Sequence, residues 1–221
     1  MKPKPTTGLL LALALFLSVA CQQQNARAVK PLRPPEQQTE TRALPANSSP
    51  NLKLVIDGAI DQIGKTTSYD PSYQKIDYPN GDVPIETGVC SDVIVRAFRR
   101  GGIDLQQDLH EDMKDNFSAY PTRWGLKGTD ANIDHRRVPN LQTYLTRKGK
   151  SLSTGGSSET FLPGDIITWD LGLGGTEHIG MVVNVWNKPS QRYLIVHNIG
   201  AGTRMEDVLF AWKITGHYRY F

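Results

Sequence analysis

The sequence has only two cysteines in 221 residues, Cys21 and Cys90. A framework of several disulfides is therefore excluded, and what needs explaining is why either thiol is kept. Excess charge of one sign is also missing: 25 basic and 22 acidic side chains give a formal net charge of +3, and positive residues cluster only at Arg96-Arg99-Arg100 and Arg136-Arg137. Polyanions bound through their phosphates call for a denser patch, so nucleic acid is not an expected partner. Arg96 and Arg100, four apart on a helix, are expected on a solvated face. Apolar runs are short beyond the first twenty residues, and none reaches the ~20 residues that a membrane-spanning helix needs. No set of His, Cys and carboxylate side chains has metal-ligand spacing; His178 and His197 lack a third donor, so neither metal nor cofactor is expected.

The one long apolar run sits at the start. Lys2 and Lys4 precede an uncharged stretch from Gly8 to Ala20 that closes on Ser18-Val19-Ala20. This is the pattern of a cleaved export signal, and it assigns residues 1–20 to a signal peptide. Leu17-Ser18-Val19-Ala20-Cys21 resembles the lipobox of bacterial lipoproteins, with Ser18 where that pattern usually has leucine. The resemblance makes Cys21 the lipidated first residue of the mature chain, and Gln22 after it matches the outer-membrane-directed form. The expectation is a periplasmic protein held at the outer membrane by a lipid on Cys21. The competing expectation is ordinary cleavage after Ala20, with Cys21 a free terminal residue.

Residues 21–50 hold Gln22-Gln23-Gln24, Pro34-Pro35 and Asn47-Ser48-Ser49-Pro50, with little to bury, and read as a disordered tether. Residues 51–221 suit one domain. Within it Leu52, Val55, Ile56, Ala59, Ile60 and Ile63 recur at helical spacing up to Gly64. Residues 66–88, rich in Tyr, Asp, Pro and Gly, read as an ordered loop long enough to cover Cys90. A second helix starts near Cys90 and stops at Gly101-Gly102; 104–116 and 138–147 read as two more. Residues 165–169, 178–186, 193–197 and a closing segment 214–220 read as strands. Helices first and antiparallel strands after make an α+β domain.

Cys90 in Gly88-Val89-Cys90-Ser91-Asp92 opens an apolar-periodic helix. Unpaired N–H groups and the helix dipole there favour a thiolate, the nucleophilic species, so a pKa below the usual ~8.5 is expected. The alternative is an inert buried cysteine. Among five histidines His178 is the best-placed base. Ile179, Met181, Val183 and Val185 form one apolar face of its strand, so His178 points the other way, with Gly180 expected to leave open space beside it. A hairpin folding near Lys188 or Pro189 returns His197 and Asn198 to His178; one of them can orient the imidazole, His197 first and Asn198 second.

Cys90 at a helix start, Pro163-Gly164-Asp165-Ile166-Ile167-Thr168-Trp169, His178-Ile179-Gly180-Met181-Val182 and Val196-His197-Asn198 together resemble the NlpC-type papain-like cysteine peptidases. The resemblance covers nearly the whole domain. It implies a papain-like fold with N-terminal helices packed on an antiparallel sheet, Cys90 as nucleophile, His178 as base and His197 as its orienting partner. It also implies a peptidoglycan peptide as substrate, with Tyr78, twelve positions before Cys90, as a helper near the nucleophile. Val89-Cys90-Ser91-Asp92 stands where the NlpC pattern has Asp-Cys-Ser-Gly, and the interval from Cys90 to His178 is longer than in compact members, which leaves substrate choice open.

Tyr78-Pro79-Asn80-Gly81-Asp82, Asn132-Ile133-Asp134-His135-Arg136-Arg137, His197-Asn198-Ile199-Gly200 and Gly216-His217-Tyr218-Arg219 resemble, more closely still, the bacterial family called domain of unknown function 1287. Asp134, His135, Arg136 and Arg137 are either a carboxylate-binding group or a structural ion-pair cluster, and Asp92 is expected to support the nucleophile. The expected function is amide hydrolysis in peptidoglycan peptides through a Cys-His-His site. Its alternatives are acyl transfer or non-wall amide cleavage on the same fold, or a catalytically inactive wall-binding lipoprotein.

Overall fold

The computed structural model describes residues 38–172 and 175–221. The expected signal peptide, the lipidation residue Cys21 and the first part of the expected tether lie outside them. The tether's C-terminal end departs from expectation. Residues 39–41 form a strand, β1 (Thr39–Thr41), that pairs antiparallel with the far end of the longest strand, Thr39 opposite Asn187 and Thr41 opposite Val185. Composition had marked this stretch as having little to bury, but a three-residue edge strand is held by backbone pairing and needs no large side chains.

Four α-helices follow: α1 (Pro50–Ile60), α2 (Cys90–Arg100), α3 (Leu105–Asp115) and α4 (Val138–Arg147). Local chemistry sets their starts. Ser49 accepts a hydrogen bond from the Asn51 N–H with Pro50 in the first turn, and Asp104 does the same for the Gln106 N–H. At α2, Asp92 reaches back to accept the Val89 N–H at 2.7 Å. Leu52, Val55, Ile56 and Ala59 of α1 turn inward against Val93, Ile94, Ala97 and Phe98 of α2. α1 stops short of the expected Gly64, at Ile60, and three-residue turns continue the chain.

The remaining strands are β2 (Ile166–Asp170), β3 (Glu177–Asn187), β4 (Arg192–Asn198), β5 (Thr203–Glu206) and β6 (Lys213–Tyr218). They form an antiparallel sheet in the order β5-β4-β3-β2-β6, with β1 also on β3. The domain is α+β, as the order of elements in the sequence predicts. Alternation along β3 divides its side chains. Ile179, Met181 and Val183 join the cluster shared with α1, α2, α3 and α4, while Val182 joins Phe161, Ile167, Trp169, Ile195 and Leu209 on the opposite face. Cys90 belongs to the first cluster.

Arg96 contradicts the expectation of a solvated face. It is 8% exposed, and its guanidinium bonds Asp82, Thr66 and the carbonyls of Val83, Pro84 and Thr87. A planar five-donor fork can satisfy a whole loop of carbonyls, and here it fastens the 66–88 loop onto α2. Gly88, at φ +154, lets that loop enter the helix, because a Cβ there would stand 3.1 Å from Asp92 Oδ2 and 3.2 Å from Arg96 Nη1.

Candidate active site

Cys90 is the first residue of α2, 4% exposed and free of any disulfide. It lies at the floor of an open cleft of about 340 Å³ whose walls include Tyr69, Pro71, Trp124, Arg137, Pro139 and Glu177. A second groove shares Pro139 and Glu177 with this cleft and continues past Arg123 and Arg147, so the depression runs on beyond the thiol. Arg123 pairs with Glu177 at 3.1 Å, and the Arg137 guanidinium lies 4.3 Å from the centre of the Trp124 ring.

The thiol's electrostatics differ from the helix-start expectation. Burial raises the Cys90 pKa to about 11, and the Asp92 carboxylate adds to that. The backbone N–H of Ile179, the Tyr69 hydroxyl and the backbone N–H of Ser91 act in the opposite direction. Desolvation of the buried sulfur outweighs the helix terminus, and the Asp92 carboxylate in the same turn works in the same direction. The resting group is a neutral thiol.

Tyr69 is the aromatic beside the nucleophile, in place of the expected Tyr78. Tyr78 is 42% exposed, 3.5 Å from Glu111 through its hydroxyl and packed edge-on to His110, all at α3. Both tyrosines lie in the 66–88 loop, and of the two Tyr69 lines the cleft with Cys90.

The expected histidine pair forms. His178 Nε2 and His197 Nδ1 lie 2.8 Å apart, and His197 Nε2 is 3.0 Å from Glu206 Oε2 on the neighbouring strand β5. Both rings are buried, His178 between Trp169 (5.7 Å) and Trp212 (5.8 Å). The space beside Gly180 is filled, contrary to expectation: a Cβ there would meet Ile195 Cγ2 at 2.7 Å and His197 Cβ at 3.2 Å. The missing side chain is what lets the two rings close on each other. Burial pushes the His178 pKa down to about 3, and His197 is lowered too, by burial, with Glu206 opposing. Both imidazoles are neutral.

No hydrogen bond joins His178 to Cys90 among the described residues. The alternation that turns His178 away from the apolar side of β3 also turns it away from α2, onto the face of Trp169 and Val182. The thiol meets β3 one residue along, at the Ile179 N–H. Nucleophile and histidine pair thus converge on the same end of β3, from its two sides.

Asn198 supports the loop. Its amide donates to Gly88 O at 3.1 Å and to Ser68 O at 3.2 Å. Asp92 and Arg136 form a buried pair, and Arg136 also donates to Ser72 O and Asp70 O. This corrects the carboxylate-binding expectation for Arg136, whose donors are already committed inside the protein. His135 is 2% exposed and, mainly through burial, its pKa is lowered to about 4. Asp134 is fully buried, and burial raises its pKa. Of that group Arg137 lines the cleft: its guanidinium lies on Trp124, 3.9 Å from Asp134. His110 stands 3.6 Å from Asp134, while His217 bonds Asp165 at 2.7 Å, remote from the cleft.

Sequence reasoning missed Tyr69, Glu177 and Glu206. Glu177 immediately precedes His178, which was a usable signal, since a neighbour on a strand faces the opposite side and therefore the cleft. Glu206 had none, because the short strand carrying it is visible only once its pairing with β4 is known.

No group of three or more His, Cys, Asp or Glu side chains arranged to hold a metal ion occurs among the described residues. No helix among them is long and apolar enough to cross a membrane.

A similar protein is "Uncharacterized protein YijF" of Escherichia coli (strain K12), 51% identical over 172 residues, which are 77% of this chain and 83% of that protein. The family model described as "Domain of unknown function (DUF1287)" matches residues 56–220, and the chain belongs to that family.

Proposed function

We propose that this protein is an exported cysteine hydrolase that cleaves an amide bond in peptidoglycan peptides on a papain-like fold of the NlpC type. The observation that carries the reading is the position of Cys90: a free thiol on the first turn of α2, at the floor of an open cleft, directed at a backbone N–H one residue from a partnered histidine. Cys90 Sγ attacks the amide carbonyl as its proton passes to His178, whose ring faces the other side of β3 at rest and has to turn to the cleft side when substrate binds. The N–H groups of Ile179 and Ser91 and the Tyr69 hydroxyl stand where they can donate to the sulfur or to the developing oxyanion, a contribution commonly worth roughly 3 kcal/mol per donor. The imidazolium then protonates the leaving amine, and water hydrolyses the thioester. Because thiol and imidazole are both neutral at rest, proton transfer and attack occur together once substrate is bound. A lipid on Cys21 would hold the domain at the outer membrane, beside the polymer.

The test is mass spectrometry of sacculi incubated with the protein. Defined stem-peptide fragments that disappear with Cys90→Ala support the reading, whereas fragments unchanged by that substitution sink it. A second reading, a catalytically silent peptide-binding lipoprotein, is favoured by the raised thiol pKa and the unbonded Cys90 and His178. It predicts peptide binding without turnover, unaffected by Cys90→Ala.

A further inference from the structure

Glu206 lies at the end of β5, near an edge of the sheet, and its side chain is 39% exposed, yet it meets a histidine that is 1% exposed. Protons along this contact are fixed by donor and acceptor chemistry. A carboxylate only accepts, so His197 Nε2, 3.0 Å from Glu206 Oε2, carries the hydrogen. A neutral imidazole holds one N–H, so His197 Nδ1 is bare. The 2.8 Å contact to His178 Nε2 then needs its hydrogen on His178, which leaves His178 Nδ1 bare as well. The two rings share a single hydrogen and can only switch together. In the reversed arrangement His197 Nδ1 donates, His178 Nε2 accepts, and His178 Nδ1 holds a proton it would otherwise be free to take up. Trp169 and Trp212 pack beside the His178 ring, and neither ring contact chooses between the two arrangements. Glu206 is the charged group acting on His197, and His197 the titratable group acting on His178.

We infer that Glu206 is a positioning residue which, through His197, holds His178 with Nε2 protonated and Nδ1 bare, ready to accept a proton. The use of that bare nitrogen against Cys90 rests on the hydrolase reading above; the tautomer assignment does not.

Long-range nitrogen–hydrogen NMR of the imidazoles tests it in wild type, Glu206→Gln and Glu206→Ala. The expected result is bare Nδ1 and protonated Nε2 on both rings in wild type, the same pattern in Glu206→Gln, whose amide oxygen still accepts, and a mixed or reversed pattern in Glu206→Ala. In turnover, Glu206→Ala should lose about 10- to 100-fold in kcat with KM near wild type, and Glu206→Gln should regain most of it. An unchanged nitrogen pattern in Glu206→Ala, or a protonated His178 Nδ1 in wild type, overturns the inference. A pattern that changes as expected in a protein with no hydrolytic activity upholds the positioning role and removes the hydrolase reading alone.

Discussion

Arg136 and Asp92, 44 residues apart in the chain, form a buried ion pair, with Nε 3.0 Å from Oδ1 and Nη2 3.1 Å from Oδ2. The same guanidinium donates to Ser72 O and Asp70 O, while Asp92 accepts the Val89 N–H. One side chain thus ties the segment before α4, the Tyr69-bearing loop and the start of the nucleophile helix into a single unit. Arg136→Ala leaves Asp92 buried without a counter-charge, and should lower stability by roughly 3–5 kcal/mol in urea denaturation. Arg136→Lys should recover only part, because an ammonium cannot span the four acceptors. A loss below about 1 kcal/mol would show that the pair is not structural.

Arg137, the next residue, serves both the cleft and the interior. Its guanidinium lies on an exposed Trp124 and 3.9 Å from Asp134, with no hydrogen bond to either. Arg137→Gln should weaken binding of carboxylate-bearing peptides roughly tenfold, and because Arg137 is also the counter-charge of the buried Asp134 at 3.9 Å it should lower stability as well, by less than Arg136→Ala because that contact is not a hydrogen bond. Titration of the peptide against both variants separates the roles; equal peptide affinity for wild type and Arg137→Gln would remove Arg137 from recognition.

The buried histidines predict acid sensitivity. His178 takes up a proton only near pH 3 when folded, and His197 is also lowered, whereas in the unfolded chain each protonates near the ordinary pKa of about 6.5. Stability from these groups is therefore complete above about pH 6.5 and is lost as pH falls toward 3. His178→Gln should flatten the decline measured by thermal or urea denaturation from pH 7 to 4. An equally steep decline in that variant would place the acid sensitivity elsewhere.

Thiol chemistry gives a further check. With Cys90 raised to about 11, alkylation of the resting protein at pH 7–8 should be slow and should rise about tenfold per pH unit through pH 9–10. Tyr69→Phe removes a donor that favours the thiolate and should slow alkylation further. Rapid alkylation at neutral pH, insensitive to Tyr69→Phe, would mean that the thiol is less buried and differently partnered.

Much of this organisation was legible in the sequence. Periodicity located all four helices and the strands β2, β3, β4 and β6, and hairpin closure brought His197 to His178. What stayed hidden was governed by contacts distant in the chain. Arg96 at helical spacing with Arg100 is indistinguishable from a surface residue until the 66–88 loop folds over it. Tyr69 and Tyr78 share a loop, and composition cannot say which turns toward Cys90. Alternation turns His178 off the apolar face of β3, but that this face is also the one that meets α2 depends on packing between distant segments.

The most direct test of the central claim is intact-mass spectrometry of the protein mixed with excess stem peptide and quenched in acid, with Cys90→Ala and His178→Ala alongside. The account predicts a mass increase on wild type equal to the acyl portion of the peptide, located on Cys90, with the amine portion released. The adduct should be absent from Cys90→Ala and strongly reduced in His178→Ala. Continued peptide cleavage by Cys90→Ala, or neither adduct nor cleavage in wild type that binds the peptide, would contradict it.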